Sequence, residues 1–364
     1  MHVLRLAGPP GVGKSTLAQA IAARFAAAGD ATTHVDIDQL GMLYPAPDGD
    51  PDRWRLKERA LDRVAIIHRR AGSHRLVVSG VACPDLPPPP TIACSVTSLW
   101  LDASDAQRRA RLGPRGWSPE QRERTVRIGG EESARLAPGW RRLGTDDLGV
   151  EETARRILDL AAQAEAKPLG PTPLPEGADS QLAPVLWITG PRCTGASSIG
   201  WQLAQEAWAA GRRLGFLDLA QLSLARNLPG GERAARVLGA DCAASLHECF
   251  VAAGGTASIV VAPLDAGPEL ALAAFGDVPV IPVRLDASAA DLRARARSRA
   301  DGGGPVLAGD DLREATPFEI AAVVRRALHQ RMLPLRPGEI RVSTTGADVP
   351  SAAARIRTAT GWSA

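Results

Sequence analysis

The first residues able to do chemistry are Gly8-Pro9-Pro10-Gly11-Val12-Gly13-Lys14-Ser15-Thr16, which fit the phosphate-binding pattern G-x-x-x-x-G-K-[ST]. The glycines let the backbone turn tightly and aim successive N–H groups at one point, and a helix N-terminus adds positive partial charge there. Lys14 would place an ammonium between the β- and γ-phosphates of a nucleotide, and Ser15 would offer a hydroxyl to Mg²⁺. Gly8, Pro10, Gly11, Val12, Gly13, Lys14, Ser15 and Thr16 are the expected nucleotide-binding set, with ATP and Mg²⁺ as ligands. Of the 43 basic residues, lysine occurs only at Lys14, Lys57 and Lys167. A chain that writes arginine nearly everywhere writes lysine here, where a compact point charge fits between two phosphates and a planar fork does not.

Further along, Asp36 and Asp38 alternate on extended backbone and so share one face. One acid there can hold the water shell of a metal; the other can orient a hydroxyl or accept its proton. Arg55 and Arg59 are four residues apart, share a helical face and would clamp an anionic substrate. The run Val78-Ser79-Gly80 lacks the acid that a motor ATPase uses on its attacking water, and Gly80 would let a ligand approach the backbone. A dense arginine run follows Leu101-Asp102-Ala103-Ser104. As a group it fits a mobile lid, with Arg111 and Arg115 the chosen residues for neutralising the transferred phosphoryl group. Thr145 begins a turn expected to pass near the adenine.

These residues need elements to hold them. Apolar runs predict strands over 2–7, 32–36, 75–79, 96–101 and 140–145, and helical spacing predicts helices over 14–28, 52–71, 104–112, 118–135 and 150–164. Short apolar strands alternating with helices predict a doubly wound α/β fold around a parallel sheet, with ligands outside the carboxyl ends of the strands. The pattern then recurs. At an offset of 182 residues Gly8-Pro9 faces Gly190-Pro191, Gly13 faces Gly195, Ser15 faces Ser197 and Asp36 faces Asp218. At 184, Leu101-Asp102-Ala103-Ser104 faces Leu285-Asp286-Ala287-Ser288. This predicts a tandem duplication: residues 1–163, a Pro-rich linker over 164–184, and residues 185–364. The second loop reads Gly190-Pro191-Arg192-Cys193-Thr194-Gly195-Ala196-Ser197-Ser198, with Ala196 for the lysine, Cys193 for a glycine, and Ala220 where the first half has Asp38. Without the phosphate lysine the second half is expected to be catalytically dead, and structural or regulatory.

The motifs of residues 1–163 together resemble the P-loop nucleotide and small-molecule kinases, among them the adenylate, shikimate, gluconate and adenylylsulfate kinases and chloramphenicol phosphotransferase. The resemblance rests on the Gly8–Thr16 loop, Asp36-x-Asp38, the strand ending at Gly80, Leu101-Asp102-Ala103 with its arginines, and the Thr145 turn. It implies phosphate binding by Lys14, Mg²⁺ at Ser15 and Asp36, an acceptor at Asp38, and a lid arginine at Arg111 or Arg115. Arg55, Arg59 and Gly80 complete the expected acceptor side. The expected activity is phosphoryl transfer from ATP to a hydroxyl of a small molecule; a nucleotide-dependent switch without an acceptor is the alternative. A net charge of +3 lacks the excess of a nucleic-acid binder, and no apolar run is long enough to span a bilayer. A cytoplasmic chain whose two halves dock on one another is expected, and a homodimer is compatible with it. Cys242, His247 and Cys249 are read as helix packing and not as a zinc site.

Overall fold

The computed structural model describes residues 1–89, 94–115, 117–146, 148–162, 183–222, 224–303, 312–313 and 315–363, and only the backbone of Arg115. The first half runs β1 (His2–Ala7), α1 (Lys14–Ala27), β2 (Thr32–Asp36), α2 (Ile37–Leu40), β3 (Leu43–Tyr44), α3 (Trp54–Arg70), β4 (Arg75–Ser79), β5 (Ser95–Asp102), α4 (Asp105–Leu112), α5 (Pro119–Ala134), β6 (Arg141–Gly144) and α6 (Val150–Ala162). The second runs β7 (Val185–Thr189), α7 (Ala196–Ala209), β8 (Leu214–Asp218), α8 (Leu219–Leu222), β9 (Leu224–Arg226), α9 (Gly231–Ala252), β10 (Ala257–Val261), α10 (Pro268–Phe275), β11 (Val280–Asp286), α11 (Ala289–Ala300), α12 (Pro317–Arg331), β12 (Ile340–Ser343) and α13 (Val349–Thr360). Side-chain caps fix several helix starts: Ser104 accepts from the Gln107 amide, and Ser118 with Gln121 forms a capping box.

Two six-stranded sheets result, β6-β5-β1-β4-β2-β9 and β12-β11-β7-β10-β8-β3. Their strands pair in parallel except at one edge, where β9 lies antiparallel on β2 and β3 antiparallel on β8. The inner parallel strands are buried because helices cover both faces. On one face of the first sheet Leu4 and Leu6 pack with Leu17 and Ile21 of α1 and Ile157 of α6. Alternation turns Arg5 to the other face, where its guanidinium pairs with Glu58 of α3 and lies over Trp140.

Two compact units follow, and neither is continuous in sequence. The first comprises Met1–Gly41, Trp54–Pro175 and Ser223–Ala235; the second comprises Met42–Arg53, Glu176–Leu222 and Arg236–Ala364. Each sheet is therefore finished by a short strand from the other half of the chain. The two exchanges are equivalent in register. Thr32 faces Arg226 and Thr33 faces Ala225; shifted by 182 residues these are the pairs Leu214 with Tyr44 and Gly215 with Leu43. Contiguous boundaries, as the sequence suggests, leave these two segments on the wrong side, because a strand of two or three residues has no period to read. The expected linker lies almost wholly outside the described residues. Among the described residues no helix is long and apolar enough to cross a membrane.

Candidate functional site

The glycine loop leaves β1 and enters α1 in the geometry its spacing demands. Gly8, Gly11 and Gly13 all have positive φ, at 138°, 89° and 92°. A Cβ on Gly8 would lie 2.3 Å from the Leu101 carbonyl oxygen, so no other residue fits there. Gly13 caps α1 in the left-handed region with no side-chain bond and no acid in the first turn, which leaves the first amides of the helix for an anion. The Lys14 ammonium donates to the carbonyls of Gly8, at 2.7 Å, and Pro9, at 2.9 Å. Ser15 and Thr16 are exposed at the same mouth.

Asp36 ends β2 and caps α2, its Oδ1 accepting from the Asp38 amide at 2.9 Å. Burial pushes the Asp36 carboxyl up to about 6. The neighbouring Asp38 charge adds to this, while the amide bond, Lys14 and Lys57 oppose it. Gly80, with φ at 133°, makes this arrangement possible: a Cβ there would stand 2.7 Å from Ile37 Cγ2 and 2.8 Å from Asp36 Oδ1. The groups that approach Gly80 are thus Asp36 and Ile37, where the sequence suggested a ligand. Ser79, in the place of a motor ATPase acid, is bonded to the His34 ring at 3.0 Å.

Where the acceptor side is expected, the structure adds a lysine that the motifs do not include. Lys57 Nζ meets Asp38 Oδ1 at 2.8 Å; the lysine side chain is 5% exposed and the aspartate 43%. The ammonium lies 4.7 Å from the Trp54 ring centroid, and its stem runs across Gly41, where a Cβ would stand 2.6 Å from Lys57 Cγ. Arg55 and Arg59 lie on the exposed face of α3 instead. The signal was available: Lys57 is one of three lysines in an arginine-rich chain. The site so assembled is Lys14, Asp36, Asp38 and Lys57, whose charges all act on Asp36.

Two of the arginines after β5, Arg108 and Arg111, are engaged with the loop itself. Arg111 donates to Thr145 Oγ1 at 2.9 Å and the Thr145 carbonyl at 2.7 Å, and its Nη1 stands 3.5 Å from the Gly11 carbonyl. Thr145 Oγ1 lies within 3.1 Å of the Val12 carbonyl and 3.2 Å of the Asp102 carbonyl. Arg111 and Thr145 thus bolt the loop to the ends of β5 and β6, in place of the free lid expected for Arg111. Arg108, fully buried, reaches the Pro10 carbonyl at 3.2 Å and the Thr125 carbonyl at 3.1 Å. The side chain of Arg115 lies outside the described residues.

The second unit has the same bolt and lacks the charges. Arg295 donates to Thr344 Oγ1 and the Thr344 carbonyl, each at 2.9 Å, and to the Thr194 carbonyl at 3.1 Å. Cys193 takes the positive φ of Gly11, at 68°. At the offset of 182, Ala196, Ala220 and Gly239 stand for Lys14, Asp38 and Lys57, and Ala262 stands for Gly80. Ser197 Oγ donates to Asp218 at 2.8 Å, so the two oxygens equivalent to Ser15 and Asp36 bond each other. Burial pushes the Asp218 carboxyl up, against that hydrogen bond. Cys242, His247 and Cys249 are buried in α9, with His247 Nδ1 on Ser258 Oγ at 2.9 Å.

Mg²⁺ fits the donors of the first unit: the exposed Ser15 hydroxyl at the loop and the Asp36 carboxylate are hard oxygens, and a divalent cation would stabilise the ionised form that burial opposes in Asp36.

Residues 5–135 match the family described as an AAA domain. No curated protein matches the chain. Among solved structures, a sugar kinase from Janibacter sp. HTCC2649 is 20% identical over 44% of this chain and 94% of its own, with a TM-score of 0.31. A gluconokinase from Sinorhizobium meliloti 1021 is 21% identical over 44% of this chain and 92% of its own, with a TM-score of 0.30. A hexameric APS kinase from Thiobacillus denitrificans is 15% identical over 98% of this chain and 65% of its own, with a TM-score of 0.28.

Proposed function

We propose, from the premise that residues 5–135 form a P-loop nucleotide-binding domain of the superfamily that includes the small-molecule kinases, that the first unit transfers the γ-phosphoryl group of ATP to a hydroxyl of a small molecule. The observation that carries this reading is the Asp38–Lys57 pair beside the phosphate loop. A nucleotide hydrolase has no use for a second acid held by a buried ammonium. A kinase does: Asp38 accepts the proton of the acceptor hydroxyl as its oxygen bonds to the γ-phosphorus, and the bond from that phosphorus to the leaving ADP oxygen breaks. The products are a phosphate ester, ADP and one proton. Lys57 holds the Asp38 carboxylate in place, and Lys14 offsets charge on the phosphoryl oxygens as it shifts to the leaving group. Mg²⁺, held at Ser15 and Asp36, would supply further charge neutralisation on the phosphates.

On this reading the second unit does no chemistry. The joint loss of lysine, aspartate and lysine at Ala196, Ala220 and Gly239 supports it, as does the retention of the Arg295–Thr344 bolt. The matching strand orders and exchange registers support an origin by tandem duplication.

The test is ATP consumption across a panel of sugars, polyols, nucleosides and amino-alcohol antibiotics. The expected result is near silence without acceptor and turnover with one class, lost in Lys14→Ala by about a thousandfold. Steady hydrolysis that no small molecule changes, but that a protein or nucleic acid does, would establish instead the nucleotide-dependent switch.

A further inference from the structure

The stretch between α2 and α3 leaves the unit to which both helices belong. Met42–Arg53 is part of the second compact unit, while Asp38 on α2 and Trp54 and Lys57 on α3 are part of the first. Inside the second unit this stretch is held at several points. β3 pairs with β8 through Leu43–Gly215 and Tyr44–Leu214, and the Phe216 amide donates to the Met42 carbonyl at 2.9 Å. Met42 is buried in the core formed by Leu203, Leu214 and Phe216. The Tyr44 ring lies 4.8 Å from that of Trp208, and the Arg53 guanidinium lies 4.0 Å from the Tyr44 ring. Arg213 adds a three-pronged clamp, donating to the carbonyls of Pro45 and Ala46 and to Asp48, each at 3.1 Å.

Both ends of the clamped stretch open directly onto the acceptor side. One end is Gly41, across which the Lys57 stem lies; the other is Trp54, beside the Lys57 ammonium. A loop tied at its middle restricts the separation of the helices at its ends, and a carboxylate and an ammonium paired at 2.8 Å feel changes of a few tenths of an ångström. We propose that the second unit serves the reaction by anchoring this stretch, and that Arg213 is a positioning residue for the Asp38–Lys57 pair. The inference rests on the acceptor assignment above and gives the lysine-less unit a function distinct from catalysis. It also predicts an asymmetry. The reciprocal stretch is held in the first unit by β9 and by Asn227, which reaches the Ala26 carbonyl at 2.6 Å, but it connects to Ala220 and Gly239, where no charges remain to be positioned.

The test uses the full chain, with Arg213→Ala, Arg213→Lys and Asn227→Ala. In Arg213→Ala, backbone amides of residues 37–41 and 54–57 should exchange with deuterium about tenfold faster, with the glycine loop unchanged. With whichever acceptor the ATP panel identifies, its KM should rise about tenfold while the ATP KM stays within about twofold. Arg213→Lys, which keeps the charge and loses the fork, should lie between, and it carries the test if the alanine variant fails to fold. Asn227→Ala should leave residues 37–41 and 54–57 as in the parent. Faster exchange confined to 42–53, or equal losses for ATP and acceptor, would overturn the inference. The exchange measurement needs no acceptor, so it is decided even if phosphoryl transfer is not found. Confirmed transfer with unchanged exchange at 37–41 and 54–57 would sink the anchoring alone.

Discussion

At the scale of single residues, the Asp38–Lys57 pair is unequal. The lysine is buried and the aspartate half-exposed. Removing the aspartate strands an ammonium in a dry site, whereas removing the lysine leaves a carboxylate that water still reaches. Asp38→Asn should therefore cost about 2–3 kcal/mol of stability and Lys57→Met about 1 kcal/mol or less, with the double variant recovering part of the loss. Urea unfolding of the three variants measures this, and a larger loss for Lys57→Met would mean the ammonium is not the group that needs its partner.

The buried histidines give a second residue-scale expectation. Burial holds His34 down to about 4 and His68 down to about 3. In the unfolded chain each binds a proton near 6.5; in the folded chain neither does until the pH is far lower. Between those values the unfolded state carries more protons, so stability falls as pH falls from about 6.5 and the loss ends near the folded values. The slope is at most about 1.4 kcal/mol per pH unit for each histidine. Asp36 and Asp218, whose carboxyls are pushed up by burial, act in the opposite sense, so the comparison is best made by substitution. His68→Asn should be less stable than the parent at pH 7.5 and lose less on going to pH 4.5, read from urea midpoints. An unchanged slope would place the titration elsewhere.

At the scale of elements, much was legible in the sequence. Strands read at 2–7, 32–36 and 75–79 are β1, β2 and β4 residue for residue, because strands buried in a parallel sheet are built mainly of apolar or β-branched residues, even with Arg5 and His34 among them. Helix starts came within two residues where a Ser or Gly cap marked them, as at Ser104, Ser118 and Gly13. The loop glycines and Asp36 were legible because each is dictated by local geometry. Lys57 stands out by its type, but its pairing with Asp38 was not legible, since the aspartate is nineteen residues back and only the placement of α3 brings them together. β3 and β9 were illegible for a similar reason: what defines them is an edge to pair with, and that edge comes from the other half of the chain. Gly80 sits between these cases. Its type is informative, but the sequence suggests room for a ligand and the structure uses the room for Asp36. Gly80→Ala would combine an unfavourable φ with contacts of 2.7 and 2.8 Å, displacing α2 at a cost of about 1–3 kcal/mol. Turnover should fall further than ATP binding does, since Lys14 is untouched; equal losses would place Gly80 with the nucleotide.

At the scale of the whole molecule, the two units form an internal comparison. What both share, the Arg111–Thr145 and Arg295–Thr344 bolts and the N-caps at Ser104 and Ser288, serves the fold. What only the first has are the charges that would meet a nucleotide and an acceptor. If the second unit were inactive for want of a lysine alone, restoring it would revive the site. The structure argues otherwise. Ser197 and Asp218 are bonded to each other, Asp218 is buried with its carboxyl pushed up by that burial, and Ala220 and Gly239 carry no charge to hold an acceptor. A lysine placed at 196 would face a loop whose metal-side oxygens are already satisfied and whose Cys193 occupies a left-handed position suited to glycine. Calorimetric titration with Mg-ATP should give one site per parent chain and none in Lys14→Ala. The count should remain at none in Lys14→Ala/Ala196→Lys, because the binding surface lost in the second unit is distributed over several residues. A full site returning with that single lysine would mean the second unit is a nucleotide pocket lacking one charge, and its part in the molecule would have to be sought in binding instead of in anchoring.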